Sequence, residues 1–194
     1  MIRFLPLFLL TALLSSCGLQ SIPRAKNGVE AALAEITNQY KRRADLIPNL
    51  VKTVKGYASH EKDTLTAVVE ARAKATQTRI DPGAADPQML QQYMRQQGSL
   101  SQALGRLMVV VEKYPQLKAD QNFRDLQAQL EGTENRITVA RQRYIESIKL
   151  FNDLITVPPT SFTNSLFYHH DKMPQWSVGE DEKKQIETAP KVEF

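Results

Sequence analysis

The stretch FRDLQAQLEGTENRITVARQRYIESIKLFNDL, residues 123–154, decides the fold class of this 194-residue chain. Large apolar and aromatic residues recur in it every seven positions, and a second set follows each of them by three residues. The first set is Phe123, Leu130, Ile137, Tyr144 and Phe151, and the second is Leu126, Thr133, Ala140, Ser147 and Leu154. Two sets with this spacing lie on one face of a helix. The stretch therefore predicts one long helix, with Asp120 as its N-cap and Val157-Pro158-Pro159 as its end.

Three more helices follow from similar spacing. The first is predicted over residues 26–57 and contains Pro48, which does not shift the phase of the apolar pattern. A proline there removes the hydrogen bond to the Ala44 carbonyl and predicts a kink rather than two helices. The second helix is predicted over about residues 60–80.

The third helix is predicted to begin at Pro87, with Asp86 as its N-cap, after a turn with the sequence DPGAAD. Its apolar seam contains one polar insertion, Gln97, and Tyr114-Pro115 closes it. Short connections between long helices favour antiparallel neighbours. The fold class predicted is all-α, an antiparallel up-and-down four-helix bundle with long helices over residues 26–158.

The C-terminal tail, residues 159–194, is less regular than the bundle. No segment of the chain alternates with a period of two, so no sheet is predicted. The tail contains Phe162, Leu166, Phe167, Tyr168 and Trp176, which predicts that part of it packs along the bundle. From Gly179 onward charged residues dominate, which predicts disorder.

The N-terminus has the features of a lipoprotein signal peptide ending at residue 17. Arg3 precedes an uncharged apolar run of 11 residues, Phe4 to Leu14, which is close to a signal-peptide core and too short to span a bilayer. Ser15 and Ser16 then lead into Cys17, the only cysteine in the chain. Leu14-Ser15-Ser16-Cys17 resembles the bacterial lipobox, at which the thiol is acylated. The alternatives are an ordinary cleaved signal with a leftover thiol and a short uncleaved anchor.

Acylation of Cys17, with palmitate for example, would hold the mature chain on a membrane without crossing it. Residues 18–25 are then expected to be a tether. The expected location is the bacterial cell envelope, with the bundle facing the periplasm or the exterior. Gly18 stands where an Asp would favour the inner membrane, so the outer membrane is favoured if the source is Gram-negative.

The net charge of +4 and the isoelectric point of about 9.2 do not indicate nucleic acid, because an exported protein does not meet it. No catalytic motif is found, and no cofactor is expected. His60-Glu61 does not continue into a zinc-protease motif, since Thr64 replaces the second histidine. His169-His170-Asp171 lacks further ligands for a tetrahedral site, so no metal is expected.

Polar residues within or beside the helical seams are the candidate interaction or network residues. They are Arg42, Arg43, Asp45, Asn49, Tyr57, His60, Glu61, Glu70, Arg72, Glu134, Asn135 and Arg141. One interpretation is an exposed helix face with pairs four residues apart, such as Asp45 with Asn49. The other is a buried polar network that sets helix register. A carboxylate pair, Asp45 with Glu70 or Glu134, would also suit acid/base chemistry if the two met.

The segment NQYKRRADLIPNLVKTVKGYASHEKDTLTAVVEARAKAT, residues 38–76, resembles the LemA family of bacterial membrane-associated proteins. YPQLKADQNFRDLQAQLEGTENRITVARQRY, residues 114–144, and the ending APKVEF resemble it too. The resemblance implies a helical bundle on the extracytoplasmic side of a membrane and supplies no activity. The chain departs from the family in its lipoprotein-type N-terminus and in Ile145, where the family tends to have Asn, while Asn152 matches.

Three functions remain open from the sequence. The preferred hypothesis is a non-enzymatic envelope protein, a rigid bundle that is held at the membrane and presents a side face and its aromatic tail to another protein or to the lipid surface. The alternative is an envelope enzyme that uses paired carboxylates within the bundle. The third is a scaffold that self-assembles through its heptad seams, because the same pattern serves a bundle and a coiled coil.

Overall fold

All regular secondary structure in the described part of the chain is helical. A computed structural model describes residues 5–83 and 86–174, with side chains from Leu19 onward. The helices are α1 (Leu5–Tyr57), α2 (Lys62–Gln77), α3 (Pro87–Val111), α4 (Pro115–Ala119), α5 (Gln121–Thr156) and α6 (Thr160–Thr163), and a π-helical turn follows at Asn164–Tyr168. No strand occurs within these ranges.

The two long helices, α1 and α5, are antiparallel along the whole of α5. Their contacts run in opposite directions along the two chains: Arg43 meets Glu134 at 2.7 Å, and Glu35 meets Arg143 at 2.9 Å. The 36 residues of α5 span about 54 Å at 1.5 Å per residue. The α2–α3 hairpin packs on α1 toward its C-terminal end. The predicted all-α antiparallel bundle is therefore confirmed.

The apolar interior forms two clusters, one toward each end of the bundle. The distal core, near the C-terminus of α1, joins all four main helices and includes Ile47, Leu50, Val54, Val68, Leu100, Leu107, Phe123 and Leu130. The basal core, near the N-terminal half of α1, is built mainly by α1 and α5 and includes Ile22, Leu33, Ile36, Tyr40, Ile137, Ile148, Phe151 and Ile155. Tyr93 of α3 completes it, and Tyr168 and Met173 of the tail pack against it.

The predicted tether at residues 18–25 is wrong. α1 is already helical there, and Ile22 and Ala25 are buried in the basal core. The reason is visible in the spacing: Ile22, Ala25 and Val29 extend the apolar seam by three and four residues, and α5 is long enough to cover them. The side chain of Cys17 lies outside the described ones, so its acylation stays a prediction. Within the described ranges, no helix is both long and apolar enough to cross a membrane.

Both predicted N-caps are confirmed. The Asp86 carboxylate accepts hydrogen bonds from the backbone N–H groups of Gln88 and Met89, each at 3.4 Å. The helix after it ends at Val111 rather than at Tyr114, and the short helix α4 follows. Pro115 disfavours a helical conformation at Tyr114 but suits the first position of a new helix. The chain therefore ends α3 before Tyr114 and begins α4 at Pro115.

Two asparagines fix the tail against the bundle. The Asn152 amide donates to the Met173 carbonyl and its oxygen accepts from the Met173 N–H, both at 2.9 Å. Asn164 makes the same pair of bonds with the backbone of His170, both at 3.0 Å. His169, with φ 52°, ends the π-helical turn in a left-handed conformation. Residues 160–174 are thus a folded hook, while the predicted disorder after Gly179 lies outside the described residues.

The distal end is closed by hydrogen bonds between tyrosines and carboxylates. Tyr57 donates to Asp120 at 2.8 Å, and Tyr114 donates to Glu61 at 3.0 Å. Asp120 also accepts from the Phe123 N–H at 2.9 Å as the N-cap of α5. The Phe123 N–H and then the Tyr57 hydroxyl lower the pKa of Asp120 below its ordinary value.

We expect Asp120→Asn to weaken the pH dependence of stability on the acid side. A carboxyl whose pKa is lower in the folded state stabilises the fold above its unfolded pKa, and this contribution is lost as the pH falls through the folded pKa. Asn keeps the capping oxygen and removes the charge. Urea unfolding over a series of acidic pH values should therefore give a flatter curve than wild type. The exposed Asp45→Asn is the control, and an equal flattening in both variants would contradict the assignment.

Candidate functional site

Arg43 is fully buried between the two cores, although it is the third of three consecutive basic residues. Its position on α1 explains this, since Tyr40, Ala44 and Ile47 are buried on the same side of the helix. A buried guanidinium is stable only when its N–H groups find acceptors. The other fully or nearly buried polar side chains of this level are Gln97 of α3 and Thr133 of α5. We call these residues and their direct polar partners the Arg43 layer.

Four hydrogen bonds connect Arg43 to α3 and α5. Nη1 donates to Ser101 Oγ and to Glu134 Oε1, both at 2.7 Å. Nη2 donates to Gln97 Oε1 at 2.8 Å and to the Gln97 carbonyl at 3.1 Å. Among the described buried side-chain polar atoms, only Arg43 Nε has no hydrogen-bond partner. The ion pair is asymmetric, because the Glu134 side chain is 45% exposed and the Arg43 side chain is 0% exposed.

Gln97 extends the layer to the remaining helix. Its amide donates to the carbonyl of Ala75 at 3.0 Å. Ala75 lies in the last turn of α2, where carbonyls have no partner within their own helix. Arg43 therefore connects all four main helices at one level, directly to α3 and α5 and through Gln97 to α2.

Tyr40 forms the basal side of the layer. Its ring lies under the Arg43 guanidinium, at 5.1 Å from ring centre to Cζ, and meets Tyr93 edge to face at 5.7 Å. Arg141 donates to the Tyr40 hydroxyl from Nη2 at 2.7 Å and from Nε at 2.9 Å. Burial raises the pKa of Tyr40, although Arg141 opposes this, and burial raises the pKa of Tyr93 to about 12. Both phenols therefore stay protonated at neutral pH.

Two prolines inside α1 create further polar contacts between elements. Pro48 has no N–H, which leaves the Ala44 carbonyl without its helical partner, and Arg72 of α2 donates to that carbonyl from Nε at 2.7 Å. Pro23 frees the Leu19 carbonyl in the same way, and the Tyr168 hydroxyl donates to it at 2.7 Å. Each freed carbonyl is thus satisfied by an element that packs on α1.

The structure brings half of the predicted candidate residues into specific contacts. Arg43 and Glu134 form an ion pair within the layer. Four more candidates make hydrogen bonds between elements, namely Arg72 with the Ala44 carbonyl, Arg141 with Tyr40, Tyr57 with Asp120 and Glu61 with Tyr114. The remaining candidates have exposed side chains: Arg42, Asp45, Asn49, His60, Glu70 and Asn135. Glu134 is neutralised by Arg43, and Asp45 and Glu70 face solvent on α1 and α2, so nothing here favours the carboxylate-pair hypothesis.

Sequence reasoning missed Tyr40 and Ser101 as contacts of Arg43, and Tyr93 as the ring that packs on Tyr40. The tyrosines occupy seam positions, where an aromatic residue indicates packing and carries no sign of a hydrogen bond. Gln97 had a signal, because it interrupts an apolar seam. His170 packs between Tyr168 and Phe151, with ring centres 5.7 Å from each, and no metal-binding group of three ligands occurs among the described residues.

Fold and site together define an all-helical bundle whose four main helices are joined by one buried arginine. The chain belongs to the LemA family, whose model matches residues 32–194, and the resemblance noted in the sequence is confirmed. It is similar to two magnetosome proteins of Paramagnetospirillum magneticum, MamQ 1 and MamQ 2, with 27% identity over 143 residues. It is also similar to magnetosome protein MamQ of Magnetospirillum gryphiswaldense, with 25% identity over 143 residues. Each alignment covers 63% of this chain and 51% of the relative, so the chain spans about half the length of these relatives.

Proposed function

We propose that this protein is a non-enzymatic component of the bacterial cell envelope, anchored to a membrane by lipid on Cys17, that presents one face of a rigid bundle to another envelope protein. The observation that carries the proposal is that both Nη groups of the Arg43 guanidinium are fully engaged in hydrogen bonds between helices. All four Nη hydrogens have acceptors inside the bundle, so its most buried charge serves to join helices. The charges left for recognition are on the outside.

One group of these external charges lies along α1. We define the α1 stripe as Lys41, Arg42, Asp45, Asn49, Lys52 and Lys55, all exposed and spaced by helical turns. Four of these six residues are basic, which fits an acidic surface on a partner. The stripe begins 19 residues after Ile22, about 29 Å along the helix, and charges at that distance from a membrane are screened. A protein partner therefore suits it better than lipid headgroups do.

Anchoring at Cys17 would place the bundle directly against the membrane. Ile22, the first residue buried in the basal core, follows Cys17 by only five positions, and α1 is helical between them. The bundle would therefore stay close to the membrane surface, because only a short helical segment separates its core from the acyl chains. This supports a fixed height for the α1 stripe above the surface.

Crosslinking in intact cells tests the proposal, with Arg42→Glu/Lys52→Glu beside wild type. We expect the charge reversal to abolish capture of an envelope protein that wild type captures, with helicity unchanged, because only exposed residues are altered. Arg106→Glu, an exposed basic residue on α3, is the matched control and should keep the partner. Equal capture by all three proteins would show that the stripe does not recognise it.

The anchor is tested by Cys17→Ala in the same cells. We expect this variant to leave the membrane fraction and to lose the hydrophobic mass of the acyl chains. A variant that still fractionates with membranes would contradict lipid anchoring at Cys17, whatever the result of crosslinking.

A further inference from the structure

Apolar side chains are unusually exposed at the basal end of the bundle. Phe162 and Leu166 are each 70% exposed, and Phe167 is 60% exposed. Leu19 and Val157 belong to the same end, with 42% and 54% exposed. We call these five residues the base patch. Most of the other exposed apolar residues that are described occur singly along helices, which is common, whereas a group at one end indicates an interaction surface.

The base patch is held in place by specific contacts. The Tyr168 hydroxyl bonds the Leu19 carbonyl that Pro23 frees, which joins the π-helical turn to α1. Asn164 clamps the backbone of His170 on the other side of the turn, and Asn152 holds Met173. Phe162, Leu166 and Phe167 are therefore presented to solvent by a segment that is fixed at both ends. Their exposure follows from the hydrogen bonds that hold this segment in place.

The position of the patch indicates what covers it. α1 is helical without interruption from Leu19 back to Cys17, the predicted acylation site, which lies only two residues before Leu19. The base patch therefore belongs to the end of the bundle at which the proposed anchor is attached. Rigid aromatic and leucine side chains beside an anchor are suited to the boundary between headgroups and acyl chains.

We infer that the base patch inserts into the membrane leaflet that holds the anchor, with Phe162, Leu166 and Phe167 entering the boundary between headgroups and acyl chains. The inference rests on the proposed anchoring and adds a second contact to it. One flexible anchor would leave the bundle free to rotate over the surface. If Phe162, Leu166 and Phe167 also insert beside the anchor as a wedge, the bundle has a defined orientation on the membrane. The α1 stripe then faces a defined direction.

A tryptophan at Phe167 tests the insertion. In the full-length protein with Trp176→Phe, the only natural tryptophan is removed, and Phe167→Trp then reports on the patch alone. Val109→Trp is the matched control, because Val109 is 68% exposed and lies near the distal end of α3. Both proteins are purified from cell membranes and reconstituted in vesicles of phosphatidylethanolamine and phosphatidylglycerol, with or without bromine on the acyl chains.

We expect brominated lipid to quench the emission of Phe167→Trp and to leave that of Val109→Trp unchanged. If both proteins float with the vesicles and neither is quenched, anchoring holds and the wedge is wrong. If neither floats, the anchoring itself fails, and the wedge fails with it. A blue-shifted but unquenched Phe167→Trp would mean that protein covers the patch, either residues 175–194 or a second copy, and would also overturn the inference.

Discussion

Arg43→Ala is expected to lower the free energy of unfolding by about 3 kcal/mol or more, which for a chain of this size lowers Tm by roughly 10 °C. The substitution leaves a cavity at a position with 0% exposure and removes the donors that satisfy Gln97 Oε1 and Ser101 Oγ. The Glu134 carboxylate contributes less to the loss, because its side chain is 45% exposed and water replaces the guanidinium. Urea and thermal unfolding measure the effect.

Arg42→Ala is the matched control for this prediction. Arg42 is the same residue type one position earlier on α1, and its side chain is exposed, so its loss should change stability by no more than about 0.5 kcal/mol. Equal effects of the two substitutions would mean that the Arg43 layer contributes nothing specific. A large loss in Arg43→Ala alone would show that burial and hydrogen bonding, not net charge, make this residue important.

Arg72→Met is expected to destabilise the wild-type protein by about 1–3 kcal/mol, and far less when Pro48 is replaced by alanine. In the wild type the Ala44 carbonyl depends on Arg72 Nε, because Pro48 has no N–H to offer. An alanine at position 48 restores that N–H, so the helix satisfies the carbonyl itself. The two positions should therefore be strongly coupled although they lie on different helices.

A double-mutant cycle measures the coupling from urea unfolding of wild type, Arg72→Met, Pro48→Ala and the double variant. We expect an interaction free energy of at least about 1 kcal/mol. Lys74→Met, an exposed substitution on the same helix, is the control and should show no coupling with Pro48→Ala. Additive effects of Arg72 and Pro48 would contradict the role assigned to the hydrogen bond.

The interior prolines also bear on how this fold is specified. A helix with a freed carbonyl offers one acceptor at a defined height, and a donor on another element can use it only in one register. Arg72 at Ala44 sets the height of α2, and Tyr168 at Leu19 sets that of the tail. The prediction that Pro48 would remove the bond to Ala44 was correct, but the sequence did not indicate which residue would replace it.

Local chemistry in the sequence was sufficient to predict the four long helices, although not the short helices α4 and α6. The heptad sets of α5, the caps Asp86 and Asp120, and the prolines that end or restart helices each act within a few residues, so they can be read along the chain. The start of α1 was missed for a related reason. Pro23 and the polar residues around it indicate a break locally, whereas burial of Ile22 against α5 stabilises the helix from a distance.

The sequence by itself determined that this protein is an all-helical bundle, where most of its helices begin and end, and that it resembles the LemA family. Only the tertiary structure decided that Arg43 turns inward while Arg42 turns outward, that Glu134 and Gln97 meet it, and that Phe162, Leu166 and Phe167 stay exposed at the base. The physical reason is that helix formation depends on neighbours in sequence. Burial of a charge or exposure of an apolar side chain depends instead on partners that are distant in sequence, up to 149 residues away for Tyr168 and Leu19.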